Sequence, residues 1–200
     1  MKTELSTEDR ALLAPPRHGK YYDIAEQGRL FLATSATAGI AIIVAATTGG
    51  HPTLLNPMGS NRVINVRRLL MGYVSGDNAP TSLCWNTTTF GAQPATGASH
   101  NVLTATKVAV VSARVGGPVD SRAWFAPTVN TFTAAPSYYR PISLSLLTGV
   151  AATAVAPFSM VEEYDGDLTI EPGNGICLVT QAATTTALFR YTILFEEVDE

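Results

Sequence analysis

The stretch Leu168–Glu197, LTIEPGNGICLVTQAATTTALFRYTILFEE, decides the fold. In its last part Ala187, Phe189, Tyr191, Ile193 and Phe195 fall on one face of an extended chain. Thr186, Arg190, Thr192 and Glu196 share the other face with Leu188 and Leu194. Successive side chains of a strand point to opposite sides, so this period of two marks a strand with one face in a core. Upstream, Leu168 and Ile170 lead into Glu171, Pro172, Gly173, Asn174 and Gly175, residues that fix or permit turn dihedrals, after which Ile176, Leu178 and Thr180 resume the alternation. The stretch predicts a strand, a turn, a second strand and a long final strand, a β-meander that closes the domain.

Outward from there, Arg62–Val74 is the longest internal strand candidate. Ile64 and Val66 point one way, and Leu69, Met71 and Tyr73 take the other face, so a β-bulge is expected at Arg67 and Arg68. Gly28–Thr34 and Ile40–Ala46 read as a first antiparallel pair, and the Gly- and Pro-rich run from Thr47 to Ser60 reads as a loop. Further strands are expected at Ser82–Phe90, Thr106–Arg114, Arg122–Thr133 (broken by Pro127), Ile142–Leu147 and Ala156–Glu163. Pro136–Pro141 reads as a loop that exposes Tyr138 and Tyr139, and the segment Gly72–Gly76 as a strand-end turn. About nine or ten short strands with no fixed repeat predict an all-β antiparallel β-sandwich. The strand number and long loops suit a jelly-roll-like arrangement better than an immunoglobulin sandwich, whose Cys, Trp and Cys spacing is missing. Residues 28–200 form this single domain, and residues 1–27 form an N-terminal arm. In the arm, Ser6 caps a short helix that runs to Leu13 and stops before Pro15 and Pro16. The apolar residues Leu5, Leu12 and Leu13 are too few to fold alone, so they lie against this domain or reach a neighbour.

Two hundred residues can bury a core without staples. Charged residues make up 14% of the chain, against about a quarter in ordinary domains, which suggests that part of the surface meets other subunits. A net charge of −3 argues against nucleic acid and anionic membrane as partners. Cys84 and Cys177 alternate within predicted strands and read as buried thiols rather than a disulfide or half a metal site. Met1–Arg10 lacks the apolar core of a signal peptide, and Ile40–Ala46 is too short to span a bilayer, so synthesis and assembly in a cytoplasm are expected.

The constellations that could carry chemistry are thin. His18, His51 and His100 fall in predicted loops without metal-ligand spacing and read as surface histidines, so no cofactor is expected. Glu162, Glu163, Asp165 and Asp167 make an acidic turn that could hold calcium or simply be solvated. Glu196, Glu197, Asp199 and Glu200 read as an acidic tail that serves solubility, with partner docking as the alternative. Trp85, Trp124, Tyr138 and Tyr139 could stack on sugars, although core or subunit contact is the commoner use of such residues. Asn86 opens a glycosylation triplet that matters only in a secreted eukaryotic protein. For Arg67 and Arg68, either one faces solvent at the bulge or one pairs with an acid of a neighbouring subunit.

Asn56–Gly76 (NPMGSNRVINVRRLLMGYVSG) and the segments IEPGNGI and FRYTILFEE within Leu168–Glu197 resemble small jelly-roll-type virion structural proteins of tailed bacteriophages. Such proteins decorate capsids or build neck and tail parts. The resemblance implies a homo-oligomer, a trimer by preference, that binds the assembled capsid, its major capsid protein or its vertex and performs no catalysis. Localisation in the virion follows. The contact residues expected on this reading are Leu5, Leu12 and Leu13 of the arm, Arg67 and Arg68 at the bulge, and Leu188 and Leu194 on the outer face of the last strand. The alternative function is a carbohydrate-binding, lectin-like β-sandwich module of a tail or cell-surface apparatus. A cupin-type or hydrolase enzyme is disfavoured by the scattered histidines.

Overall fold

A computed structural model describes residues 19–42, 44, 51–76, 83–89, 110–126, 135–142, 159–181 and 187–200. In chain order the elements are a one-turn helix α1 (Tyr22–Glu26) and strands β1 (Leu30–Thr34), β2 (Ile40–Ala41), β3 (Thr53–Leu55), β4 (Arg62–Ser75), β5 (Leu83–Thr89), β6 (Val111–Ser112), β7 (Trp124–Ala126), β8 (Ser137–Pro141), β9 (Ser159–Glu163), β10 (Thr169–Ile170), β11 (Asn174–Thr180) and β12 (Leu188–Asp199). The helix expected from Ser6 to Leu13 lies outside the described residues, as do Leu5, Leu12 and Leu13 themselves.

The strands form two antiparallel sheets, so the chain is an all-β sandwich. The larger has seven strands in the order β10-β4-β12-β1-β6, with β9 also on β4 and β2 also on β12; the smaller has five, in the order β7-β3-β11-β5-β8. Phe31, Ala33, Ile64, Val66, Leu69, Met71, Phe189, Tyr191, Ile193 and Phe195 from the large sheet meet Leu54, Leu83, Trp85, Phe125, Ile176 and Leu178 from the small one in a single core. The period-two reading of the last strand therefore holds, and its aromatic face is the centre of the molecule. Phe125 of one sheet meets Tyr191 of the other edge-on, with ring centroids 6.1 Å apart.

The bulge falls where the arginine pair predicts it. Leu194 lies opposite Arg68 and Phe195 opposite Val66, which leaves Arg67 as the extra residue. Its effect corrects the expectation that Leu69, Met71 and Tyr73 take the other face. One inserted residue restores the phase, so Val66 and Leu69 both enter the same core.

Pairing corrects two further expectations. The end of the chain is not a meander: β10 pairs with β4 and β12 with β4 and β1 in the large sheet, while β11 pairs with β3 and β5 in the small one. The turn after Ile170 crosses between sheets, and alternation along a strand carries no information about which strand lies beside it. For the same reason β1 and β2 do not pair with each other; both lie on β12. Pro136–Pro141 contains strand β8 rather than a loop, although Tyr138 and Tyr139 are exposed as expected because β8 ends the small sheet.

The outward face of the small sheet is buried as well. Leu55, Cys84, Cys177 and Val179 form a second apolar cluster there, with Trp124 packed against it, and Thr53 and Asn86 are buried on the same side. Both cysteines are free thiols. Burial pushes the Cys177 thiol up to about 12, with a hydrogen bond to Thr53 pulling the other way. Burial also raises Cys84, against the opposing effect of its hydrogen bond from Gln181. Because the thiolate is the reactive form, a disulfide-exchange reagent at about pH 8 should modify neither cysteine in the folded protein and both after denaturation. Rapid labelling of the native protein would contradict the burial.

Candidate functional site

The outer face of the large sheet divides into a charged half and an apolar half. The charged half begins at the bulge. An extra residue in a strand re-aims its side chain, and Arg67 ion-pairs with Glu196 on the neighbouring strand. Arg29 joins from the other side, its guanidinium 2.6 Å from Glu196. Glu196 is thus held between two arginines. Arg68 pairs with Glu163 of β9 and lies over the ring of Tyr21 at 5.4 Å. Lys20 reaches Glu163 at 3.6 Å and Asp165 at 3.2 Å, so the segment before α1 is tied to the end of β9. Neither of the two readings of the arginine pair describes this arrangement: both arginines find carboxylates of their own chain. The reason is register, since β12 and β9 flank β4 and bring acids from 129 and 95 residues away.

At the end of the sandwich the core-facing Glu197 accepts hydrogen bonds from the Arg62 guanidinium at 2.9 Å, the Ser121 hydroxyl at 2.6 Å and the backbone N–H groups of Arg122 and Ala123 at 3.0 Å. Its side chain is 2% exposed. Arg62 also meets Asp120 and Asp199, and its guanidinium is held above its ordinary value first by the hydrogen bond to Glu197. The expected acidic tail is therefore corrected. Glu196 and Glu197 are buried parts of β12: Glu196 is held by Arg29 and Arg67, and Glu197 ties the loop before β7 to the last strand; of the four acids, Asp199 and Glu200 are exposed. Sequence reading missed them because two adjacent acids near a terminus look like a solvated run. The hint was their position in unbroken phase with Phe195 and Val198.

The apolar half is an open groove of about 620 Å³ across β9, β4 and β12. Val161, Leu70 and Thr192 form one cross-strand row on it, and Ser159, Gly72 and Arg190 the next. Val161 is 58% exposed and Val74 38%. Arg190 is anchored by donating to the Thr37 carbonyl. Leu188 is half-buried beside this groove. Leu194 is only 8% exposed, so little of it is left to meet another molecule.

Other predicted residues land as follows. Asp167 pairs with Arg140 at 2.7 Å, and no cluster of His, Cys, Asp and Glu suited to a metal occurs among the described residues. His51 is buried rather than on the surface, because it sits at the start of β3 beneath the small sheet's covered face; His18 and His100 lie outside the described residues. Trp85 is fully buried, its indole N–H donating to the Tyr164 hydroxyl at 2.7 Å, so it is no sugar platform. Asn86 is buried and donates to the Pro136 carbonyl at 2.9 Å, which removes it as a glycosylation acceptor. Set against protein-family models, curated proteins and solved structures, the chain matches none of them.

Proposed function

We propose that this chain is a non-enzymatic virion structural protein, a homo-oligomer that binds an assembled capsid or its vertex as a decoration or neck component. The observation that carries the reading is the open apolar groove on the large sheet. Val161, Val74 and Leu70 lie in a contiguous strip, rimmed by ion pairs that fix the strands beneath it, which is how a surface for another protein is built. Strand order supports the jelly-roll part of the proposal. One sheet runs β1-β12-β4 with β9 and β10 beyond, and the other β3-β11-β5-β8. On this reading β1, β3, β4, β5, β8, β9, β11 and β12 serve, in chain order, as the eight strands of a double Greek key. β6 and β7 extend the two sheets at the opposite side.

The mass of the full-length protein in solution tests the reading. A multimer is expected, a trimer by preference, and Val161→Glu or Leu188→Lys should drive it toward monomer with the melting temperature moved by no more than a few degrees. Leu194→Lys should instead destabilise the subunit, by about 2–5 kcal/mol, because it buries a charge. A stable monomer whose N-terminal arm can be deleted without effect on particle binding would sink the proposal.

A further inference from the structure

The geometry points to a second site, a cleft for a single neutral or amino-sugar ring between the two sheets, walled by Tyr139 and rimmed by Glu171 and Asn174. The cleft holds about 130 Å³ and is also lined by Thr87, Ile170 and Ile176. This is below the roughly 300 Å³ at which pockets for drug-sized ligands begin, so it takes one small ring and not a chain.

Three features give it the chemistry of a sugar site. Its floor is apolar: Ile170 and Ile176, both core residues, line it from beneath. Its wall is an aromatic ring that keeps 48% of its surface exposed although it sits in a strand. A shift in register between Trp85 and Asn86, where β8 meets β5, leaves Tyr139 without a place in the ladder, and so turns it toward the cleft rather than along the sheet. Its rim carries a carboxylate and an amide at the two ends of one turn. A pyranose presents an apolar C–H face, which packs on an aromatic ring, and a belt of hydroxyls, which donate to a carboxylate.

The rim is held in place before any ligand arrives. Pro172 follows Glu171, and Gly173 has φ +80°, the pattern of a type II turn closed by the Asn174 N–H donating to the Glu171 carbonyl at 3.1 Å. Buried Asn56 clamps this turn: its N–H donates to the Asn174 carbonyl at 2.9 Å, and its carbonyl accepts from the Gly173 N–H at 2.8 Å. Its side-chain amide donates to the Ile170 carbonyl at 2.8 Å. A fixed rim reduces the ordering that binding requires. Charge narrows the ligand further. Asp167 nearby is neutralised by Arg140, while Glu171 forms none of the ion pairs among the described residues. The rim therefore favours neutral or amino sugars and opposes uronates.

The test is protein-observed NMR on the full-length chain, titrated separately with methyl glucoside, methyl galactoside, glucosamine and glucuronate. Saturable shifts confined to Thr87, Tyr139 and residues 171–176 are expected with at least one of the first three, with a Kd on the order of 1 mM. Glucuronate should give none. Tyr139→Leu keeps the bulk and removes the ring, and should abolish the shifts at an unchanged melting temperature; Glu171→Gln should weaken binding about tenfold. No saturable shift with any of the four sugars, tighter binding of glucuronate, or full binding by folded Tyr139→Leu would each overturn the site. The cleft is made from one subunit's residues, so a monomeric mass would defeat the assembly proposal and leave this one standing.

Discussion

Glu197→Ala should lower the stability of the fold by about 3–5 kcal/mol, the usual cost of removing one partner from a buried ion pair. The carboxylate accepts from Arg62, Ser121 and the N–H groups of Arg122 and Ala123. Truncating it strips Arg62 of its buried partner and leaves the Ser121 hydroxyl and two backbone donors without their acceptor, and each stranded donor costs about 1–3 kcal/mol. Glu197→Gln keeps one acceptor oxygen and should recover part of the loss. Asp199→Ala removes an exposed partner of the same arginine, so its effect should stay within about 1 kcal/mol. Urea denaturation of the three variants measures the differences. A Glu197→Ala midpoint equal to that of Asp199→Ala would show that the buried carboxylate holds nothing together.

The second large effect is alkaline. Burial holds the Cys177 thiol at about 12 in the folded chain against an ordinary 9.0. Between these values the unfolded chain has released the proton and the folded chain has kept it. The unfolded state therefore binds fewer protons, and stability falls as pH rises. At about 1.4 kcal/mol per pH unit the gap amounts to about 4 kcal/mol. Burial raises Tyr191 and Tyr164 above their ordinary 10.0 as well, so two further protons join the slope above that pH. Lys20 and Arg62 are raised by their carboxylate partners and act in the same sense. The urea midpoint should stay level up to about pH 9 and drop steeply beyond about pH 10. Cys177→Ala should flatten the first part of the fall. A midpoint unchanged to about pH 11 would contradict the burial of these groups.

The class of the fold was legible because period two is a local property. Phe189 to Phe195 name their own core face, and the mismatch between Val66 and Leu69 names the bulge. What lay beside each strand was not legible. Pairing joins Arg68 to Glu163 across 95 residues and Glu196 to Arg29 across 167, and no local pattern encodes such separations. Hence a meander was expected where the chain crosses between sheets, and a solvated tail where two glutamates are buried. Tyr139 shows an intermediate case. Its exposure could be read from the flanking prolines, but its place beside Glu171 depends on how β8 and β10, edge strands of the two sheets, come to lie on the same side of the sandwich. Leu5, Leu12 and Leu13 lie outside the described residues, so their contacts are an expectation from sequence and nothing more.

The burial of both faces of the small sheet has a further consequence for how the molecule can grow. With Cys177 and Val179 buried on one side and Ile176 and Leu178 on the other, the described part of this sheet offers no flat surface on which a second sheet could stack. Lamination of the kind that builds fibrils requires a building block adhesive on two opposite sides. On the proposed reading the contact area lies on the large sheet, and such a block terminates after one layer. The assembly proposed above would then be a small closed ring or a coat one molecule deep.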